Sequence, residues 1–258
     1  MRAYYEQGKE RDRLVAPKGA LESERTKEIL LRRMPAAPAV VADIGGGPGH
    51  YALWLAELGH TVHHRDLMDL HVDQLQALGN PSIHTSAGDA RRLDLPDSSV
   101  DAVLLLGPLY HLPEREDRLQ ALSEARRIVR DGGPVFIAVI SRWAPRLDGV
   151  IQERLYEDNP DFLRLLPAVE STGELPPVVA DGFVGYTHRP EELAEEVSEA
   201  GLRLEDLVGV EGLPLAASDM QTRVDDPAAW NVLLDSARAI ERVPELMGLS
   251  PHLIATAS

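Results

Sequence analysis

The chain has 258 residues, no cysteine and a formal net charge of −16. Disulfides, thiolate metal sites and thiol nucleophiles are excluded together, and a charge so negative disfavours a nucleic-acid partner. With 44% apolar and 26% charged residues and no run of 18 apolar residues, the composition implies a cytoplasmic globular protein with no membrane partner. The paired arginines Arg32-Arg33, Arg91-Arg92 and Arg126-Arg127 are not interleaved with aromatics, so they do not reverse this reading.

Residues 1–37 precede the first strand. Glu10–Leu14 and Leu21–Met34 read as helices parted by Pro17-Lys18-Gly19, and Pro35 and Pro38 end the second. Ile29, Leu30, Arg33 and Met34 suggest its inner face. The segment either covers the sheet or forms a lid that lays Tyr4, Tyr5 and Arg13 over a ligand.

The rest, 38–258, is organised around Val40-Val41-Ala42-Asp43-Ile44-Gly45-Gly46-Gly47-Pro48-Gly49. A buried strand runs into glycines and then a helix, an arrangement that brings backbone close to a ligand. The spacing is G-x-G-x-G, not the G-x-G-x-x-G of a dinucleotide fold, and no Gly-Lys-Ser/Thr follows as in a P-loop. Asp43 just before the glycines suits an ammonium or a water-bridged polar group better than a phosphate. The stretch resembles motif I of the class I S-adenosylmethionine-dependent methyltransferases, of the methyltransferase type 11, UbiE-like kind.

A second strand spans His60–Asp66. Asp66 lies 21 residues after Gly45, where an acid accepts hydrogen bonds from ribose hydroxyls, with Leu67 beside it. Asp69 is a nearby competitor. His60, His63 and His64 read as ordinary strand histidines, and no metal site is expected. A helix over Asp69–Leu78 ends at Asn80-Pro81, and a third strand, Ile83–Ala87, delivers Gly88-Asp89-Ala90. That triplet resembles the methyltransferase element that reads adenine. The resemblance implies that Asp89 accepts from the exocyclic amine and that the next backbone N–H donates to the ring.

The fourth strand, Val100–Leu106, is apolar almost throughout, as a central parallel strand is. It delivers Gly107-Pro108-Leu109-Tyr110-His111-Leu112 where ligands bind in open parallel sheets. Leu106 and Gly107 are placed to approach the cofactor. Tyr110 and His111 are the catalytic candidates, able to orient an acceptor or take its proton, although His111 serves equally well as a structural pin for the loop. A helix over Glu114–Arg130, the turn Asp131-Gly132-Gly133 and a fifth strand, Val135–Ser141, follow.

Residues 142–187 exceed an ordinary connection and read as a cap insertion. Trp143, Tyr156, Phe162, Phe183, Tyr186 and His188 either line an acceptor pocket or form the cap's own core. A helix from His188 to Gly201, a sixth strand (Leu202–Val210), a last helix (Pro227–Arg242) and a seventh strand (Leu253–Thr256) complete the chain.

The resemblance implies a Rossmann-like, seven-stranded, mostly parallel α/β sheet with an antiparallel last strand and helices on both faces. It implies S-adenosyl-L-methionine as cofactor, leaving S-adenosyl-L-homocysteine, held by Tyr5, Arg13, Asp43, Gly45, Gly46, Gly47, Gly49, Asp66, Leu67, Gly88, Asp89, Ala90, Leu106 and Gly107. Arg13 then pairs with the cofactor carboxylate. The implied reaction is methyl transfer to an oxygen or nitrogen of a small molecule or peptide. A cofactor-binding regulator without catalysis and a nicotinamide oxidoreductase are the alternatives. A homodimer is open.

Overall fold

The computed structural model describes residues 14, 16–152, 155–177 and 184–258. Five parallel strands come first: β1 (Val40–Ile44), β2 (Thr61–Asp66), β3 (Ile83–Ala87), β4 (Ala102–Leu105) and β5 (Val135–Ser141). They stand in the order β3-β2-β1-β4-β5. Two short strands of the insertion follow, β6 (Glu174–Leu175) and β7 (Gly185–His188), then β8 (Leu204–Gly209) and β9 (His252–Ala257). β9 runs antiparallel between β5 and β8. The expected sheet is therefore present, with its antiparallel last strand, but β6 and β7 extend it from seven strands to nine.

The central strands are apolar on both faces because helices cover both. On one side lies α1 (Pro17–Leu31). Its Leu30 joins Val41, Leu104 and Phe136, and its Ile29 joins Ala138, Val208 and Ile254. α2 (His50–Glu57) adds Tyr51, Ala52 and Leu55 to that face, and α3 (Asp69–Gln76) adds Leu75. On the other side α4 (Arg115–Ile128) and α5 (Pro190–Glu199) pack Leu122, Ala125, Leu193 and Val197 on Val103, Leu105, Val135 and Ile137. A sixth helix, α6 (Pro227–Ile240), packs Leu233 and Leu234 on Leu21 of α1. Among the described residues no helix is long and apolar enough to cross a membrane.

Some boundaries differ from the sequence reading. α1 stops at Leu31, so Arg33 leaves the inward phase, stays 54% exposed and pairs with Glu205 at 2.6 Å. Val100, expected to open the fourth strand, makes only an isolated bridge to Val129. Five short helical segments are described between Ala144 and Thr172, before β6.

The insertion docks in one particular place. β4 has four residues and β5 has seven, so β5 runs on beyond the end of its neighbour. β7 pairs with that spare edge, Thr187 opposite Ile140 and His188 opposite Ser141. Ile140 faces β9 on its other edge, so β7 lies on the β4 side. It therefore stacks beyond the carboxyl end of β4 and against the single turn Pro108–His111.

Phe136 is wholly buried on the central strand β5, and few neighbours can collapse into the space it fills. Phe136→Ala is expected to lower the unfolding free energy by about 3–5 kcal/mol in a denaturant titration.

Candidate functional site

The carboxyl ends of β1, β2 and β4 open onto a cavity of about 390 Å³. The glycine turn after β1 forms its floor. Gly45 has φ +68°, and a Cβ there would lie 2.7 Å from Pro108 Cγ. At Gly46 a Cβ would lie 2.6 Å from Asp43 Cγ and 2.7 Å from His64 Cδ2. Those two glycines are thus required by the protein's own packing. Gly47, at φ +57°, would meet nothing within 4 Å, so its bare edge faces open space. Gly49, expected among the ligand contacts, is absent from the lining; at φ +89° it starts α2 against Leu75.

Asp66 ends β2 and ties the turn down. Its Oδ2 accepts from Gly47 N–H (2.8 Å), and its Oδ1 accepts from Met68 N–H (2.8 Å) and from His71 Nδ1 (3.0 Å). Burial opposes its charge, but the His71, Met68 and Gly47 bonds outweigh that and hold the carboxyl below its usual range. A carboxylate offers about four acceptor positions, so capacity for a further donor remains. His64, next to Asp43 in register, supports the same turn from beneath. Its Nε2–H donates to the Gly47 carbonyl (3.0 Å), and its Nδ1 accepts from the Thr85 hydroxyl (2.9 Å). A carbonyl can only accept, and burial holds the ring below its ordinary value, so one neutral tautomer fits.

Asp43 is the opposite case. It is fully buried, and burial first, then the Asp66 charge, push its carboxyl up to about 7. The Ala52 N–H works against this. Asp43 Oδ2 has no hydrogen-bond partner among the described residues.

The far wall comes from the turn after β4. Leu106, Gly107, Pro108, Tyr110 and His111 line it, and the Tyr110 and His111 rings lie 4.7 Å apart. Burial pushes His111 down to about 4 against the pull of the Asp66 charge, so the ring is neutral at pH 7 and weakly basic. At the third edge are Leu67, Gly88, Asp89 and Ala90. Asp89 is engaged: Arg91 donates to Oδ1 from its backbone (2.9 Å) and Nε (3.0 Å), and to Oδ2 from Nη2 (2.6 Å). Those bonds hold the Asp89 carboxyl below its usual range. Arg91 also reaches Asp117 at 2.8 Å.

Of the expected ligand residues, only Gly49 is described and lies off the cavity; Tyr5 and Arg13 fall outside the described residues. Leu14, at the edge of the described chain, does line it. Of the acceptor-pocket candidates, Trp143, Tyr156, Phe162, Tyr186 and His188 are absent from the lining, and Phe183 falls outside the described residues. Tyr156 instead donates to the Pro145 carbonyl within the insertion. Sequence reasoning missed His64, Met68, His71 and Arg91. Elsewhere, Glu22, Glu211 and His252 bring ligand-type atoms within 4.8 Å of one another, but Glu211 already accepts from the Ser250 hydroxyl (2.9 Å) and the His252 ring (2.5 Å).

Known proteins place this geometry. The family described as "Methyltransferase domain" matches residues 42–137. The ubiquinone biosynthesis O-methyltransferase of Brucella anthropi is 30% identical over 71% of this chain and 68% of its own length. The chain belongs to the S-adenosylmethionine-dependent methyltransferases. The ubiquinone/menaquinone biosynthesis C-methyltransferase UbiE of Caulobacter vibrioides is 29% identical over 44% of this chain, and the match spans about half of that relative, 49%. A SAM-dependent methyltransferase from Methanosarcina mazei superposes with a TM-score of 0.59 over 89% of this chain and 95% of its own, at 16% identity, which is a likeness of fold.

The cavity suits the family's cofactor chemically. A buried carboxylate oxygen without a partner answers an ammonium, a pre-bonded carboxylate with spare capacity answers a diol, and the uncovered Gly47 edge allows close approach.

Asp43 supplies a test that needs no ligand. Its carboxyl is raised in the folded state, so its cost to stability grows as pH rises from the usual Asp range through about 7. Asp43→Asn removes that cost. The variant's gain in unfolding free energy over the native protein is expected to be about 2–3 kcal/mol larger at pH 8 than at pH 5 in paired denaturant titrations.

Proposed function

We propose that the protein transfers a methyl group from S-adenosylmethionine to an oxygen or nitrogen nucleophile of a small-molecule or peptide acceptor. The observation that carries this reading is Asp66, held by three donors at the carboxyl end of β2 and facing the cavity with acceptor capacity to spare. In this reading Asp66 accepts from the ribose hydroxyls, Asp43 balances the ammonium, and the Gly47 edge lies along the chain between them. Asp89 and Ala90 face the adenine, which requires the Arg91 fork to yield one Asp89 oxygen. Of the segment 1–37, Pro17–Leu31 covers the sheet, and the lid role falls to the residues before it, which the place of Leu14 in the lining supports.

When bound, the cofactor supplies a methyl already activated by its sulfonium. The protein's work is to align the acceptor and exclude water. Neutral, weakly basic His111 suits orientation better than full proton removal, and Tyr110 stands beside it. The acceptor thus brings a nucleophile that is already reactive near neutral pH. A net charge of −16 argues for a small or peptide acceptor over a phosphate backbone. A carbon acceptor is the second reading, favoured by the likeness to the Caulobacter C-methyltransferase.

Calorimetric titration tests the cofactor assignment. S-adenosylhomocysteine is expected to bind at micromolar concentration and NAD not at all. Asp66→Ala is expected to weaken binding by about 10- to 100-fold. Because Asp43 must be ionised to meet the ammonium, affinity is expected to fall about tenfold from pH 8 to pH 6, and Asp43→Asn to abolish that slope. Labelled S-adenosylmethionine offered with phenol, amine and enol probes separates the acceptor classes; tight binding with no transfer to any probe would favour a regulatory protein.

A further inference from the structure

We propose that the buried network Arg118–Glu196–His188 is a positioning device through which β7, the insertion's last strand, and α5 set the acceptor-side wall of the cavity. This role presupposes the methyl-transfer reading of the cavity.

The wall is the loop Gly107–Pro113, which pairs with no strand. Its carbonyls at Leu112 and Pro113 both accept from one group, Arg118 Nη1, at 3.0 and 2.6 Å. Both residues line the cavity. Arg118 sits on α4, directly after the loop, and is only 2% exposed. A guanidinium so deeply buried needs a counter-charge. Glu196 of α5 supplies it, accepting from Nε at 3.1 Å and Nη2 at 2.7 Å, across 78 residues of sequence. The Tyr186 ring lies over the guanidinium at 3.7 Å.

Glu196 is itself held. Burial opposes its charge, but the bonds from His188 and Arg118 outweigh that and keep the carboxyl below its usual range. An ionised carboxylate only accepts, so His188 donates from Nε2 at 3.2 Å. Burial keeps that ring neutral despite Glu196. His188 belongs to β7, the strand that takes the spare edge of β5 beyond β4. Tyr186 and His188 thus lie on the insertion's last strand and Glu196 on the helix that follows it, whereas Arg118 and the loop precede the insertion.

Stability alone does not explain the arrangement. Apolar residues of similar volume would fill the space at equal or lower free energy, since desolvation consumes most of a buried ion pair's attraction. What the network adds is geometry. It fixes two carbonyls of the cavity wall, one and two residues from His111, through a rigid fork that lysine cannot reproduce.

His111 reports on the wall. Its ring lines the cavity half-buried, with Nδ1 shielded and the group held at about 4, and a loosened wall lets more water reach it. Two full-length variants, Arg118→Lys and the near-isosteric Glu196→Gln, are followed by NMR titration of the histidine rings, thermal unfolding and S-adenosylhomocysteine titration. The expected result is cooperative unfolding in at least one variant with the His111 midpoint raised by about one pH unit or more toward the ordinary histidine value. An unchanged His111 midpoint in a folded variant would overturn the proposal. So would loss of cooperative folding in both variants, because that marks a purely structural network. Absence of S-adenosylhomocysteine binding by the native protein would sink the cofactor reading and leave the His111 readout to judge the network separately.

Discussion

The carboxylate of Asp66 is the constraint on which the site depends. It joins the end of β2, the glycine turn after β1 and the start of α3 through Gly47, Met68 and His71. Burial makes the charge costly, so the three donors are what keep it ionised. That ionised group then acts on Asp43, whose own burial and proximity to a like charge drive it toward protonation. Two aspartates on one cavity are held in different states by their surroundings. Such divergence is characteristic of sites prepared for a ligand that brings its own charge.

The turn itself shows why glycine recurs there. Gly45 and Gly46 leave room for Pro108, Asp43 and His64, so the motif is first a packing requirement among β1, β2 and the loop after β4. Only Gly47 leaves an edge open. His64 completes the support from below, with both ring nitrogens used and the ring neutral. Protonating it would turn the Thr85 hydroxyl from donor to acceptor and burden a buried pocket with charge, so the turn is best held above the range in which this histidine titrates.

Much of this was legible in the sequence. The apolar runs Val40–Ile44 and Val135–Ser141 become buried strands because helices cover both faces, and a run apolar on both sides announces that. Asp66 was found because the distance from the glycines is fixed by one helix and one strand. His64 and His71 were not, because a histidine's partner across a sheet or one turn away leaves no periodic trace. Gly49 starts α2 and lies off the cavity lining, a place the sequence did not show since a ligand-facing glycine and a helix-starting glycine look alike in one dimension. The insertion was visible only as excess length. Its aromatics read equally as an acceptor pocket or as the cap's own core, and Tyr186 covers a guanidinium while Tyr156 closes on Pro145, because hairpin registration and long-range ion pairs decide their direction.

Family membership rests on sequence likeness, and the chemistry of the site rests on two carboxylates whose environments differ. The central claim is that Asp43 and Asp66 together hold S-adenosylmethionine at the carboxyl ends of β1 and β2. A crystal structure of the protein with S-adenosylhomocysteine tests it most directly. The account predicts ribose hydroxyls within hydrogen-bond distance of Asp66, with its bonds to Gly47 and Met68 kept, and the ligand ammonium on the Asp43 side of the turn. A ligand bound elsewhere, or in this cavity with Asp66 touching only its three protein partners, would contradict it.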